Sequence, residues 1–243
     1  MSSTPSTATN PIASGLIQPI ANTEIGYQAA QSIHAHGIVA IIRGIEVTRV
    51  AATAQALAAG GVTAMEVTFD GFDAAAIDRT ARAVNSIAAT LGDQVAVGAG
   101  TVLTLPQLAA AREAGASFVV SPDTNPEIIS EARSHGLAAL PGAATATECL
   151  QAVRAGATFV KLFPAAALGS AYLTALRSPL PWLPIVVVGG VGADNVKEFL
   201  DAGAIGLGVG GRLVDKSLIA AEKYDLITER AAELVHIVDH ARH

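Results

Sequence analysis

Short apolar runs alternate along the chain with longer stretches in which alanine and polar residues recur at helical spacing. Runs of this kind, rich in Val, Ile and Ala and bounded by glycine, predict buried strands. Several of the helical stretches end in an Ala-Gly step, and glycine is the residue that a helix C-cap prefers. The predicted strands are residues 37–43, 64–69, 95–99, 118–121, 137–140, 159–163, 185–188 and 204–209.

Eight strand–helix units predict an α/β protein, a (β/α)8 TIM barrel, because near-continuous apolar strands separated by helices are typical of a buried parallel sheet. Residues 23–36 add an extra N-terminal helix, and residues 225–240 form the last helix. The alternative is an open Rossmann-like sheet. That fold binds dinucleotides through a G-x-G-x-x-G turn after its first strand, whereas residues 43–46 of this chain are Arg-Gly-Ile-Glu.

Composition narrows the picture to one folded domain preceded by a tail. Residues 1–22 are rich in Ser, Thr and Pro and lack the charged start and apolar centre of a signal peptide, so they predict a disordered tail. Residues 23–243 then form the barrel. No uninterrupted apolar run is long enough to predict a membrane span.

The net charge and the cysteine content indicate that any anion must be held locally and that the compartment is reducing. The net charge of -6 provides no general attraction to nucleic acid or to anionic membranes. The single cysteine, Cys149, lies in a predicted helix and is interpreted as a small packed residue. We therefore expect a cytoplasmic protein whose partner is a small molecule.

A lysine stands in the middle of the sixth predicted strand. The strand period of two puts Lys161 on the same face as Phe159 and Phe163, and the opposite face is aliphatic, as suits a helix-covered surface. Lys161 is therefore predicted to point into the barrel. A desolvated amine has a lowered pKa and can form a Schiff base at neutral pH. The alternative interpretation is a structural ion pair, or a lysine that reaches solvent from the strand end.

The same periodicity turns a carboxylate of the second strand inward. Glu66 shares its face with Ala64 and Thr68, so it should lie in the same barrel as the amine. Apolar surroundings raise the pKa of a carboxyl group towards neutrality, where it can transfer protons. The alternative role of Glu66 is that of a structural partner to Lys161, and the two roles are compatible.

A pair of glycines follows each of the last two predicted strands. Gly189 and Gly190 come directly after the seventh strand, and Gly210 and Gly211 come directly after the eighth. In barrels these loops often bind phosphate, because glycine allows backbone N–H groups to approach the anion. Tight turns are the alternative explanation.

The histidines do not predict a metal site. They precede the first strand, end a helix or belong to the C-terminal helix, so none stands at a strand end. His236 and His240 have the i, i+4 spacing of metal ligands, but a solvated helix face also explains it.

The chain resembles a known family in a series of short motifs from about residue 37 to about residue 214. The motifs are residues 37–44 (GIVAIIRG), 65–68 (MEVT), 97–102 (VGAGTV), 121–122 (SP), 141–145 (PGAAT), 161–164 (KLFP), 189–190 (GG) and 208–210 (GVG). In order and spacing they are similar to those of the class I 2-keto-3-deoxy-6-phosphogluconate and 2-keto-3-deoxy-6-phosphogalactonate aldolases.

This resemblance implies a reaction and a role for each motif. Lys161 would form the imine and Glu66 would act as general acid and base while a phosphorylated 2-keto acid is cleaved to pyruvate and glyceraldehyde 3-phosphate. Thr101 and the turn formed by Ser121 and Pro122 would hold the pyruvate end, and Phe163 would pack on it. The glycine loops would bind phosphate. The resemblance implies no metal and no cofactor. It also implies that the protein forms a homotrimer.

Two positions leave the substrate open between the gluconate and galactonate types. Gluconate-type members often carry Arg after the Glu66 motif, where this chain has Asp70, and Arg43 is the candidate for a cation in its place. Arg43 and Asp70 end neighbouring strands, so they could also pair with each other. Gly211 stands where many relatives have Ser. Two alternative functions remain, a 4-hydroxy-2-oxoglutarate aldolase and a noncatalytic sugar-phosphate-binding barrel.

Overall fold

The strands of this protein form a parallel sheet that closes on itself. The structure is a computed structural model, and it describes residues 24–242. Within that range the strands are β1 (Ile38–Ile42), β2 (Ala64–Thr68), β3 (Ala96–Gly100), β4 (Phe118–Val120), β5 (Ala138–Leu140), β6 (Gly142–Ala143), β7 (Val160–Leu162), β8 (Ile185–Val188) and β9 (Gly206–Val209). They are paired in the order β5-β4-β3-β2-β1-β9-β8-β7-β6. The predicted TIM barrel is confirmed.

The fifth strand position of the barrel is divided in two, which the sequence analysis did not predict. Pro141 separates β5 from β6, and proline has no N–H to donate to a neighbouring strand. β5 pairs with β4, and β6 pairs with β7. The Lys161 N–H donates to the Pro141 carbonyl at 2.9 Å, and the Thr158 N–H donates to the Ala139 carbonyl at 2.9 Å. These bonds close the barrel across the interruption.

Helices follow the strands and cover the outside of the barrel. The extra N-terminal helix begins at Glu24, and the predicted tail, residues 1–22, lies outside the described residues together with Thr23. The helices are α1 (Glu24–His36), α2 (Val47–Ala59), α3 (Ala74–Leu91), α4 (Leu105–Glu113), α5 (Pro126–Ser134), α6 (Ala146–Ala155), α7 (Ala165–Leu168), α8 (Ser170–Arg177), α9 (Val196–Asp201), α10 (Lys216–Ala220) and α11 (Tyr224–Arg242). Among these described helices, none combines the length and apolar character needed to cross a bilayer.

Side-chain caps determine where several of these helices begin. Thr104 and Gln107 form a capping box at α4, and Thr145 with Glu148 forms another at α6. Asp73 accepts from two backbone N–H groups at the start of α3. Each cap satisfies N–H groups that the first helical turn leaves unpaired. The loops between strand ends and helices are thereby held in position around the site described below.

The core has two layers, because alternate strand residues face opposite sides of the sheet. The larger layer lies between the strands and the helices. The smaller layer fills the barrel with Val39, Ala64, Phe118, Val120, Ala138, Leu140, Phe159, Val186 and Val188. Three residues of α1, Ala29, Ala30 and Ile33, belong to this inner layer. Helix α1 therefore closes the amino-terminal end of the barrel and leaves the carboxyl-terminal end open.

The single cysteine is packed as predicted. Cys149 lies in α6 with 0% of its surface exposed. Burial, assisted by the nearby charge of Glu148, raises the pKa of the thiol to about 11. The thiol is therefore almost fully protonated at neutral pH.

Candidate active site

A cavity of about 430 Å³ opens at the carboxyl-terminal ends of the strands. This is the end of the barrel at which (β/α)8 enzymes place their active sites. The structure brings together here most of the residues predicted to act in catalysis or binding: Arg43, Glu66, Thr101, Pro122, Lys161, Phe163, Gly189, Gly190, Gly210 and Gly211. Ser121 does not line the cavity, and its hydroxyl donates to the Asp123 carbonyl at 2.8 Å.

Lys161 lies in β7 and points into this cavity with only 6% of its surface exposed. Among the described residues its ammonium takes part in no salt bridge, so the alternative of a direct structural ion pair is not observed. Its Nζ lies 5.0 Å from the centroid of the Phe163 ring. Burial lowers the pKa of Lys161, and the positive charge of Arg43 lowers it further, against the opposing effect of Glu66. The amine is therefore more readily deprotonated than that of an ordinary lysine.

Glu66 lies in β2 on the inner face of the barrel and is 2% exposed. Its Oε2 is buried and has no hydrogen-bond partner among the described residues. Burial raises the pKa of the carboxyl group, although the charges of Lys161 and Arg43 act in the opposite direction. A carboxyl group with a raised pKa holds its proton to a higher pH than an ordinary glutamate does, which suits a general acid and base.

The neighbouring strand leaves room for the Glu66 carboxylate because it carries glycine at the facing position. Gly100 in β3 pairs with Thr68 in β2. A Cβ added to Gly100 would lie 2.6 Å from Glu66 Oε1, much closer than a van der Waals contact. The absence of a side chain at Gly100 is therefore a condition for the observed position of the carboxylate.

Arg43 and Thr101 meet at the rim of the cavity. The Arg43 Nη2 donates to Thr101 Oγ1 at 3.4 Å, a long hydrogen bond. Thr101 has a φ of 58°, which is rare for a β-branched residue and typical of strained positions at functional sites. The hypothesis that Arg43 pairs with Asp70 is wrong. Asp70 instead accepts from Arg79 Nη2 at 2.7 Å, because α3 brings that arginine back over the strand end.

The two glycine loops differ in how far they depend on glycine. Gly189 and Gly190 have φ values of 97° and 75°, a left-handed backbone that favours glycine. A Cβ on Gly189 would also lie 3.0 Å from the Phe163 ring. Gly211, in contrast, would have no atom within 4 Å of an added Cβ. A side chain at position 211 is therefore compatible with this backbone.

One arginine of this cavity was not among the predicted site residues. Arg212 follows Gly211 and lines the same space. It also forms a salt bridge with Asp194, a residue of the loop after β8. Its position directly after a predicted glycine loop is the signal in the sequence that points to it. Apolar walls from Ile41, Val188, Val191 and Gly208 complete the cavity.

The described residues contain no group of three or more His, Cys, Asp or Glu side chains placed to hold a metal ion. His236 and His240 are exposed on α11 with ring centroids 5.2 Å apart. They lie on the outside of the barrel and do not line the cavity.

Comparisons with known proteins agree with this geometry. The family model described as KDPG and KHG aldolase matches residues 30–230. A 2-dehydro-3-deoxy-phosphogluconate aldolase of Treponema pallidum is 37% identical over 76% of this chain and 85% of that relative. A 2-dehydro-3-deoxy-6-phosphogalactonate aldolase of Escherichia coli is 34% identical over 72% of this chain and 83% of the relative.

Solved structures share the fold at similar identity. A native KDPGal structure superposes with a TM-score of 0.75 at 32% identity, covering 84% of this chain and 95% of the other. A KDPG aldolase of Legionella pneumophila, with pyruvate captured as a covalent carbinolamine intermediate, superposes with a TM-score of 0.76 at 28% identity, covering 85% and 97%. This chain belongs to the KDPG and KHG aldolase family.

Proposed function

We propose that this protein is a class I aldolase that cleaves a 2-keto-3-deoxy-6-phospho sugar acid to pyruvate and glyceraldehyde 3-phosphate through a Schiff base on Lys161. The observation that carries the proposal is a buried amine of lowered pKa beside a buried carboxyl group of raised pKa, both facing one cavity. Family membership supports the same reaction class. The carbinolamine captured in the Legionella relative is an intermediate of this type of chemistry.

The reaction begins when the neutral amine of Lys161 adds to the C2 ketone. Loss of water from the resulting carbinolamine produces a protonated imine, which withdraws electrons from the neighbouring carbons. The C3–C4 bond then breaks, its electron pair forms the enamine, and the C4 hydroxyl becomes an aldehyde. Glu66 accepts the hydroxyl proton and returns a proton to C3. Hydrolysis of the imine releases pyruvate and restores Lys161.

The remaining cavity residues are proposed to bind the two ends of the substrate. Arg43 provides a cation for the substrate carboxylate, and Thr101 and Pro122 hold the pyruvate end. Phe163 packs against it, as its 5.0 Å distance from the Lys161 ammonium allows. The loops at Gly189, Gly190, Gly210 and Gly211 supply backbone N–H groups for the phosphate.

Reductive trapping tests the mechanism. Incubation with pyruvate and borohydride should inactivate the enzyme and attach a single pyruvate-derived group to Lys161, because reduction makes the imine permanent. The Lys161→Ala variant should be neither labelled nor active but should unfold at the wild-type denaturant concentration. Labelling of another residue, or none, would exclude the Schiff-base mechanism and leave the noncatalytic sugar-phosphate-binding barrel as the better interpretation.

The substrate stereochemistry is open between the gluconate and galactonate types, since relatives of both kinds are similar to this chain. The second candidate is 4-hydroxy-2-oxoglutarate, because the family model also includes KHG aldolases. Comparing kcat/KM for both phosphorylated epimers and for 4-hydroxy-2-oxoglutarate decides among the three. A phosphorylated substrate should be preferred if the glycine loops bind phosphate.

The proposed mechanism requires no metal or cofactor, because the protonated imine is the electron sink. Full activity should persist in a chelator such as EDTA. Activity that disappears in the chelator and returns with an added divalent cation would contradict the Schiff-base proposal. The homotrimer and the cytoplasmic location stay predictions, and light scattering of the purified protein measures the first.

A further inference from the structure

Arg212 lies between the two glycine loops of the cavity. It belongs to the segment after β9, yet its side chain reaches the loop after β8. A Cβ added to Gly192 would lie 2.8 Å from Arg212 Cδ and 3.4 Å from its Nη1. The side chain thus crosses directly over Gly192 to reach the carboxylate of Asp194. The Arg212 side chain therefore connects the two glycine loops that are proposed to bind the phosphate.

The salt bridge with Asp194 leaves part of the Arg212 guanidinium available to bind an anion. The side chain is about half exposed, with 53% of its surface accessible, and it lines the cavity. Arginine carries five N–H donors in a planar fork, and the contact with Asp194 uses Nη1. The donors that remain are available to a phosphate oxygen.

The neighbouring backbone explains why a side chain is needed here. Gly211 offers no hydroxyl, and both glycine pairs contribute only backbone N–H groups. The protein carries an excess of negative charge, -6 overall, so it provides no general attraction to a dianionic phosphate. Among the cavity residues, Arg43 lies at the end of β1 and Arg212 is the cation beside the glycine loops.

We infer that Arg212 is a specificity-determining residue that contacts the terminal phosphate of the substrate and so selects phosphorylated over unphosphorylated 2-keto acids. This inference rests on the proposed aldolase function. Arg212 then provides part of the phosphate binding, and the glycine loops provide the rest.

The test compares the preferred phosphorylated substrate with the same sugar acid lacking phosphate. Arg212→Ala should raise the KM for the phosphorylated substrate about tenfold, since a half-exposed charge-assisted contact lies at the lower end of the usual range. Its kcat, its kcat/KM for the unphosphorylated acid and its pyruvate trapping at Lys161 should stay at wild-type values. Arg212→Lys should recover part of the lost affinity, because it restores the charge without the planar fork.

The matched control is Arg82→Ala. Arg82 is an exposed arginine of α3 that pairs with Asp78 at 2.9 Å and does not line the cavity, so its removal subtracts the same charge elsewhere. An unchanged KM in Arg212→Ala, or an equal rise for both substrates or in Arg82→Ala, would overturn the inference while leaving the aldolase function intact. Absence of pyruvate trapping in the wild type would instead reject the aldolase function itself.

Discussion

At the scale of single residues, the site depends on which of two opposing effects determines each pKa. Burial and the charge of the partner act in opposite directions on Lys161 and on Glu66. In both cases burial is the larger effect, so the amine shifts down and the carboxyl group shifts up. The two groups therefore approach each other in proton affinity, which suits proton exchange between substrate and protein.

The positive charge of Arg43 lowers the pKa of Lys161, so removing this charge should raise that pKa by a measurable amount. The neutral amine is the nucleophile, and it is available only above its pKa. Arg43→Ala should raise that pKa and move the pH profile of pyruvate trapping with cyanoborohydride towards higher pH. Arg43→Lys keeps the charge and should keep the wild-type profile. A shift of the alanine variant towards lower pH would contradict the assigned electrostatic effect.

At the scale of elements, β3 shows how one strand serves packing and chemistry at alternate positions. Gly98 and Gly100 both face inward, and each leaves space for a different side chain. Gly98 accommodates the fully buried ring of Phe118, whereas Gly100 accommodates the carboxylate of Glu66. The first contact concerns stability and the second concerns catalysis.

Alanine at these two glycines should separate the two effects. In Gly98→Ala the new Cβ would meet the Phe118 ring at 2.4 Å, and overpacking of this kind destabilises by about 1–3 kcal/mol, measured by urea unfolding. In Gly100→Ala the Cβ would displace the Glu66 carboxylate, and misplacement of a catalytic group slows turnover about 100-fold. Pyruvate trapping at Lys161 should survive in Gly100→Ala. Equal loss of trapping and cleavage would show that Glu66 mainly positions the lysine.

The barrel and its inward-facing residues could be predicted from the sequence because both follow from local periodicity. Alternation along a strand orients Lys161 and Glu66, and strand ends in a barrel converge on one edge. The second part of the fifth strand, β6 after Pro141, was missed because a strand of two residues is too short to show a periodic pattern. The Arg212–Asp194 and Asp70–Arg79 pairs were missed because long side chains reach partners that only the folded loops bring near.

At the scale of the whole molecule, stability and chemistry are assigned to opposite ends of the barrel. Helix α1 packs on the amino-terminal end, and the cavity opens at the other. Such a division allows loops to vary around the site while the interior stays closed.

Truncation of the α1 contact should therefore affect stability alone. Ile33 is 1% exposed within the inner layer, and Ile33→Ala should destabilise the protein by about 2–5 kcal/mol, as large-to-small changes in a core do. The KM and kcat of the folded enzyme should not change. Ile25, on the same helix and 46% exposed, is the control, and Ile25→Ala should alter stability by no more than about 0.5 kcal/mol. A changed KM in Ile33→Ala would show that the two ends are coupled.

The buried cysteine provides a reporter of opening motions that needs no engineering. Because Cys149 is the single thiol of the chain and is both enclosed and protonated, an alkylating reagent such as iodoacetamide can modify it only when α6 separates from the barrel. When closing is faster than alkylation, the rate of alkylation under native conditions measures the fraction of molecules in which this part of the barrel is open. Slower alkylation in the presence of substrate would indicate that ligand binding at the strand ends makes the separation of α6 from the barrel less frequent.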